Sequence, residues 1–336
     1  MEKHEKILAS KVKTIRTVFA VLFFVVVAFS ISIVVTNNNH EASSSKLRPN
    51  EDGSMKSSTG EYEITPMKQN KNNAAAAKVA PKLIDPAVEE LLIQKVEQYD
   101  QKVREIKGNL PDKVFMETDP TALAATNELQ AATRDLLYYR YGHAEPYRIR
   151  IDLVFQESNP TTATMGTKGS FTMELGPSKL VPHSIYTFLE IARHFHLQKG
   201  AFHRRANHVL QAMVHGNKVQ HLAFQEYSPD YPHVKGTVGY AGRPSGPGWY
   251  VSIMDNSRNH GPGSQQSYNP HEADACIGKV VEGFEDVVLK RITKMPGSGF
   301  LKPPAHVLID AMTILVPNPD FPGEYVEWHD PHRPTK

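Results

Sequence analysis

The sequence predicts a mainly β protein whose globular part is a closed antiparallel barrel capped by two helices. Three observations carry this expectation. Short runs of alternating apolar and polar residues, separated by Gly, Pro and Asn turns, fill the chain from 147 to 300. Among them, 182–195 and 283–292 switch to the three- and four-residue spacing of a helix. A closed barrel is also the arrangement that leaves many short strands with no exposed edge. Ahead of it the expected order is a cytosolic tail over 1–16, a transmembrane signal anchor over 17–36, a disordered stem over 37–84 and a helical hairpin or stalk over 85–143. The barrel takes 146–317, and a tail containing Pro and His takes 318–336.

With 336 residues the chain is long enough for one ordinary domain plus appendages. A net charge of only +2 leaves no electrostatic footprint for nucleic acid, which is not expected as a partner. The single cysteine, Cys276, rules out an intramolecular disulfide and a cysteine-rich zinc site. It reads as a small buried residue and not as a nucleophile. Histidines cluster at His194, His196 and His203, and again at His329 and His332 beside Asp330. Spacing alone establishes no converging geometry there, so no metal is expected.

The run 17–36 (TVFAVLFFVVVAFSISIVVT) is 20 uncharged residues, the length a helix needs to cross a bilayer core. Lys3, Lys6, Lys11, Lys13 and Arg16 precede it, and a polar, weakly charged tract follows. The excess of basic residues puts the N-terminus in the cytosol. The expectation is a single-pass type II membrane protein of the secretory pathway, in the ER, the Golgi or at the cell surface, with its C-terminal body lumenal or extracellular. The rivals are a cleaved signal peptide, whose apolar region is typically ~7–15 residues, and a buried core helix. The stretch 37–80 is poor in large apolar side chains and cannot offset its ordering entropy.

Two helices are expected next, each opened by Asp-Pro, with Asp as N-cap and Pro in the first turn. The first starts at Asp85-Pro86 and ends near Gly108; Leu92, Val96, Tyr99, Val103 and Ile106 form a seam of about two heptads. That seam has two readings, packing on its own domain or weak self-association through 85–107. The second runs from Asp119-Pro120 to Tyr141 and ends at Gly142. In YRIRIDLVF, Tyr147, Ile149, Ile151, Leu153 and Phe155 share one face of a half-buried strand, and FTMEL (171–175) pairs with it.

The stretch AFHRRANHVLQA, 201–212, is the focus of the chain. Phe202-His203-Arg204 resembles the Phe-His-Arg of cyclophilin-type peptidyl-prolyl isomerases, on the strand that carries their catalytic arginine. Upstream, FTMEL and the Pro-led PHSIYTFLEIA (182–192) stand where that family has a strand and PKTVENF-like residues. Downstream, KGTVGYAG (235–242) is similar to its GxLSMAN strand and GWYVSI (248–253) to its SQFFI strand. GKVVEGFEDVVLKRI (278–292) is close to GKVVEGMDVVKKI, and VLIDAMTIL (307–315) resembles its closing strand. The matches keep the family's order over about half the chain. They imply an eight-stranded barrel with two capping helices.

The chemistry that this resemblance implies needs no nucleophile, metal or cofactor, and none is expected. Isomerising an X-Pro amide means crossing a resonance barrier of ~18–20 kcal/mol. A pocket has to grip the proline ring, hold the preceding carbonyl and aim a donor at the prolyl nitrogen as it loses conjugation. Arginine suits that last task because it stays charged and offers several donors in a rigid fork. By resemblance Arg204 is the catalytic arginine, Gln211 the carbonyl clamp, and Phe202, Val209, Leu210 and Ala241 line the substrate site. Tyr250 or Val251 stands for the second Phe of SQFFI, the register being open by one residue.

The family's VIPGFMxQGG is replaced by RANHVLQA, one residue shorter up to the glutamine, with Val209 and Leu210 for Phe and Met. The family's rim Trp and His are missing from PHEADACI, where Asp274 takes the place of the His. Arg205, by alternation, belongs on the opposite barrel face. The polar loop 255–266 reads either as a lid or partner-binding loop or as a tolerated surface insertion. Three functions follow. The first is a membrane-anchored isomerase acting on proline-containing peptide or protein clients and assisting protein folding. The second is a catalytically weakened peptide-binding module. The third, a type II Golgi enzyme such as a glycosyltransferase, lacks the Asp-x-Asp metal motif.

Overall fold

The computed structural model describes residues 84–155, 167–216, 221–243, 245–264, 269–302 and 306–332. The expected anchor at 17–36 and nearly all of the expected stem lie outside them. Among the described residues no helix is long and apolar enough to cross a membrane.

The strands are β1 (Arg148–Phe155), β2 (Thr167–Leu175), β3 (Lys199–Arg205), β4 (Val209–His215), β5 (Thr237–Tyr240), β6 (Trp249–Ser252), β7 (Cys276–Glu282), β8 (Gly299–Phe300), β9 (Val307–Pro317) and β10 (Tyr325–Glu327). They pair antiparallel in the order β10-β9-β1-β2-β7-β5-β6-β4-β3-β8, and β9 also pairs with β3. That last pairing closes eight strands, β9 through β3, into a barrel, with β8 and β10 as short additions. On β1, Ile149, Ile151, Leu153 and Phe155 are buried in strict alternation. Across from them Phe171, Met173 and Leu175 of β2 enter the same core.

The barrel is plugged by the helix α3 (Pro182–Arg193). Its Ile185, Phe188, Leu189 and Ala192 are buried, as their spacing predicts. Phe188 meets Trp249 edge-on with ring centroids 5.6 Å apart, and Trp249 meets Phe202 in the same way at 5.2 Å. Such pairs add about 0.5–1.5 kcal/mol each beyond simple burial. No side chain at the N-cap serves α3; the buried Glu226 carboxylate instead accepts from the backbone N–H of His183 (3.2 Å) and Ser184 (2.6 Å). At the other cap, 283–292 forms a π-helical turn (Phe284–Leu289) followed by a 3₁₀ turn (Ile292–Lys294), shorter and wider than the helix expected there. Bonds from Val288 to Gly283 and from Lys290 to Glu285 span five residues and still deliver Val288 and Ile292 to the core.

Before the barrel stand α1 (Pro86–Asn109) and α2 (Pro120–Tyr141), each with its aspartate N-cap in use: Asp85 accepts from Ala87 N at 2.9 Å and Asp119 from Ala122 N at 2.8 Å. Val96 and Val103 of the α1 seam are buried, with Leu92, Tyr99 and Ile106 packed beside them, against Ala122, Ala125, Leu129 and Ala132 of α2. The seam is thus packed against the chain's own alanine-rich helix.

One arginine ties the hairpin to the barrel. Arg140 of α2, its side chain 1% exposed, bonds Glu89 of α1 and Glu190 of α3, both at 2.6 Å. The segment after 317, expected only as a tail, joins at the same place. Its β10 extends the sheet on β9. The indole N–H of Trp328 donates to the Arg140 carbonyl (3.2 Å), Asp330 accepts from Arg193 (2.6 Å), and His332 lies 2.6 Å from Glu89. Arg140→Ala leaves two carboxylates without their buried counter-charge, and is expected to lower the unfolding free energy by about 3–5 kcal/mol. Urea denaturation measures it; a loss below about 1 kcal/mol would mean that hairpin and barrel hold together without this pair.

Candidate functional site

Strand alternation decides which side chains can meet on the barrel's outer wall. On β4, Leu210, Ala212 and Val214 enter the core, so Val209, Gln211 and Met213 face outward. On β3, Phe202 is in the core, and simple alternation would draw Arg204 inside with it. A β-bulge prevents this. Phe202 pairs with Ala212 and Arg204 with Gln211, leaving His203 as the extra residue. Arg204 is thereby moved to the outer side, where its Nη1 donates to Gln211 Oε1 at 3.2 Å. Gln211 in turn pairs with Tyr250 of β6. Arg204, Gln211 and Tyr250 form one row across three adjacent strands.

That row borders a cavity of about 540 Å³, with Val209 beside it and Ala241 and Gly242 at the end of β5. Five residues expected at the site therefore meet there: Arg204, Gln211, Val209, Ala241 and Tyr250. The other three do not line the cavity. Phe202, Leu210 and Val251 are turned into the barrel core by the same alternation. The open register of GWYVSI is resolved in this way, with the Tyr250 ring on the cavity and Val251 inside. Arg205 holds the carbonyl groups of Thr293, Met295 and Gly297 and takes no part in the cavity.

Behind Tyr250 lies a buried polar network. The Tyr250 hydroxyl donates to Asp274 Oδ2 at 3.2 Å and lies 3.3 Å from His233 Nδ1. Asp274, 1% exposed, also accepts from Arg243 Nε (3.1 Å) and His260 Nδ1 (2.6 Å). The His260 ring stacks on Tyr250 with centroids 4.5 Å apart, and on His208 at 5.4 Å. Gly239, opposite Tyr250, is required by this crowding: a Cβ there would stand 2.6 Å from His233 and 2.7 Å from the Tyr250 hydroxyl. Burial, reinforced by the Asp274 charge, pushes the Tyr250 phenol well above its ordinary range. Burial pushes His233 down to about 4, and lowers His208 too, helped by the neighbouring His260 and Arg204.

Several contributors are not evident from sequence. Asp274 occupies the place where the resemblance implies a rim histidine, and it fastens His260, which arrives from the loop after β6. That loop begins with the short helix α4 (Ser257–His260) and brings Arg258 and Asn259 to the cavity as well. The only advance signal was the length of the insertion. The ring of Phe300 on β8, 72% exposed, has its centroid 5.4 Å from the Arg204 guanidinium. His203 stacks on Phe300 away from the cavity. Cys276 is buried, its thiol pushed up to about 12 by burial. Among the described residues no group of His, Cys, Asp and Glu is disposed to hold a metal.

No family model matches the sequence, and no curated protein matches it. The closed eight-stranded antiparallel barrel is compatible with a cyclophilin-like fold. The outer cavity combines a fixed cation, an amide and an aromatic ring. It has the groups to clamp a polarised amide against a partly apolar wall.

The network also sets a pH dependence. An unfolded-chain histidine protonates near 6.5, whereas folded His233 and the equally buried His183 resist until about 4. Between those values the unfolded chain binds the extra protons, so stability falls as pH drops. Unfolding free energy is expected to be lower at about pH 5 than at about pH 7, by on the order of 2 kcal/mol for each of the two histidines. Urea titrations at both pH values measure this, and His233→Gln should remove its share of the difference.

Proposed function

We propose that the outer cavity binds X-Pro segments and that the protein is a cyclophilin-like peptidyl-prolyl cis-trans isomerase, acting on protein clients and assisting their folding. The row Arg204–Gln211–Tyr250, paired in register across three strands, carries this reading. Gln211 would hold the carbonyl before the proline, while the Tyr250 ring, Val209 and Ala241 receive the pyrrolidine. As the amide twists, the prolyl nitrogen regains a lone pair. Arg204 would donate to it, favouring the twisted state over either planar one. The bond to Gln211 engages only one of the guanidinium's five donors. The Tyr250 hydroxyl, held by Asp274, fixes the ring and stays clear of the reacting amide.

A second reading is a peptide-binding module with little catalysis. It is favoured by the small apolar wall, in which Val209 is the largest aliphatic side chain. The two separate in a proline-isomerisation assay. Arg204→Ala is expected to reduce kcat/KM by about 10²–10³-fold, while Tyr250→Phe, which keeps the ring, should cost far less. A wild-type protein that binds X-Pro peptides without accelerating their isomerisation would establish the binding module instead.

The reading includes a membrane tether, resting on the apolar run at 17–36 and the basic residues before it. Deleting 17–36 is expected to shift the protein from the membrane pellet to the soluble fraction. In sealed vesicles the C-terminal body of the full chain should resist added protease until detergent is present; digestion without detergent would reverse the assigned orientation.

A further inference from the structure

The cavity holds more positive charge than gripping a proline requires. Arg204 and Arg258 both line it. The one carboxylate among the lining residues, Asp274, is buried and engaged by Arg243, His260 and Tyr250, so it offers little to a ligand. Arg258 differs. It is exposed and forms no hydrogen bond or ion pair within the fold among the described residues. Asp255, three residues before it, attracts it electrostatically, but one oxygen of that carboxylate, Oδ1, already accepts from the backbone N–H (2.9 Å) and hydroxyl (2.7 Å) of Ser257.

The loop presenting Arg258 is fastened at several points. Asn256 Nδ2 donates to the His208 carbonyl (2.9 Å) and Asn256 N to the His233 carbonyl (2.8 Å). Beyond the short helix, Asp274 N donates to the His260 carbonyl (2.9 Å) and Gly263 N to that of Glu272 (3.1 Å). The ordering entropy of residues 256–263 is thus met in folding and does not weaken binding.

We infer that this pocket selects peptides carrying an anionic side chain, a carboxylate or a phosphate, immediately beside the proline, with Arg258 as the residue that reads it. A planar guanidinium matches both groups through paired N–H···O bonds. Arg204, lining the same cavity, adds to the field without leaving the prolyl amide. This deepens the X-Pro reading of the same pocket and rests on it.

The test is fluorescence anisotropy with the full chain and labelled peptides that differ only at the residue beside the proline, on either side: Ala, Glu, phosphoserine or Lys. Wild type is expected to bind the Glu peptide at least about five-fold more tightly than the Lys peptide, with the gap narrowing as salt is raised. Phosphoserine binding tighter than Glu would identify phosphate as the preferred anion, and the reverse a carboxylate; both fit the inference. Arg258→Glu should invert the Glu-to-Lys ratio and Arg258→Gln should bring it close to one. Since Arg258 is exposed, neither change burdens the core. If all four peptides bind alike, or if the ratio survives Arg258→Glu, the anionic subsite is wrong while the X-Pro site stands. If no peptide binds at all, both fail together.

Discussion

β9 is bonded on both of its edges, and the barrel depends on this. Val307, Leu308 and Ile309 pair with Phe155, Val154 and Leu153 of β1 on one side, and with Phe202, Ala201 and Gly200 of β3 on the other. Without the second set, β3 and β9 would be open edges and the interior would have no wall between them. The approach is close. A Cβ at Gly200 would stand 3.0 Å from Ile309 and 3.2 Å from both Phe195 and Val214, so a side chain there would require these neighbours to give by a few tenths of an ångström. Inside the closed sheet, the aromatic contacts of Phe171, Phe188, Phe202 and Trp249 share one buried volume.

The outer cavity inherits its geometry from that wall. Closure fixes which faces of β3, β4 and β6 point inward, and everything on the other face is placed by default. The bulge at His203 is the one local departure, and it converts Arg204 from an interior position into a surface cation opposite Gln211. Behind the row, Asp274 links β6, the loop after it and Arg243 through three side-chain bonds. A buried carboxylate with this many partners restricts its neighbours more than it adds to stability, because much of the attraction offsets desolvation. Its effect is to hold Tyr250 and His260 in one arrangement, which is what a binding surface needs.

A second buried charge does for the whole fold what Asp274 does for the cavity. Arg140 lies where α1, α2, α3 and the C-terminal segment meet. Trp328 covers it, with its ring 4.8 Å from that of Tyr141, and the carboxylates of Glu89 and Glu190 complete the enclosure. The helical hairpin is therefore part of the globular body, even though its own sequence pattern is compatible with a free-standing stalk.

Local chemistry made much of the fold legible in the sequence. Asp-Pro starts, the glycine after Tyr141, period-two burial in 148–155 and the apolar face of 182–192 all act within a few residues, and each appears in the structure where the residues place it. The wide turn at 284–289 is different, because its hydrogen-bond spacing depends on what it packs against. Of the residues that the resemblance pointed to, Arg204, Gln211, Val209, Ala241 and Tyr250 border the outer cavity. Phe202, Leu210 and Val251 are in the core instead, because a one-residue bulge or register shift sends a strand side chain to the opposite face and leaves no mark in the sequence. His260, Arg258 and Asp274 come together from loops and strands that only the closed barrel brings side by side. The sequence by itself determined the helices of 86–141 and 182–193 and the half-buried strand at 148–155, since these follow from neighbours along the chain. Only the tertiary structure decided which side chains share the cavity, because that depends on pairings between residues far apart in the chain.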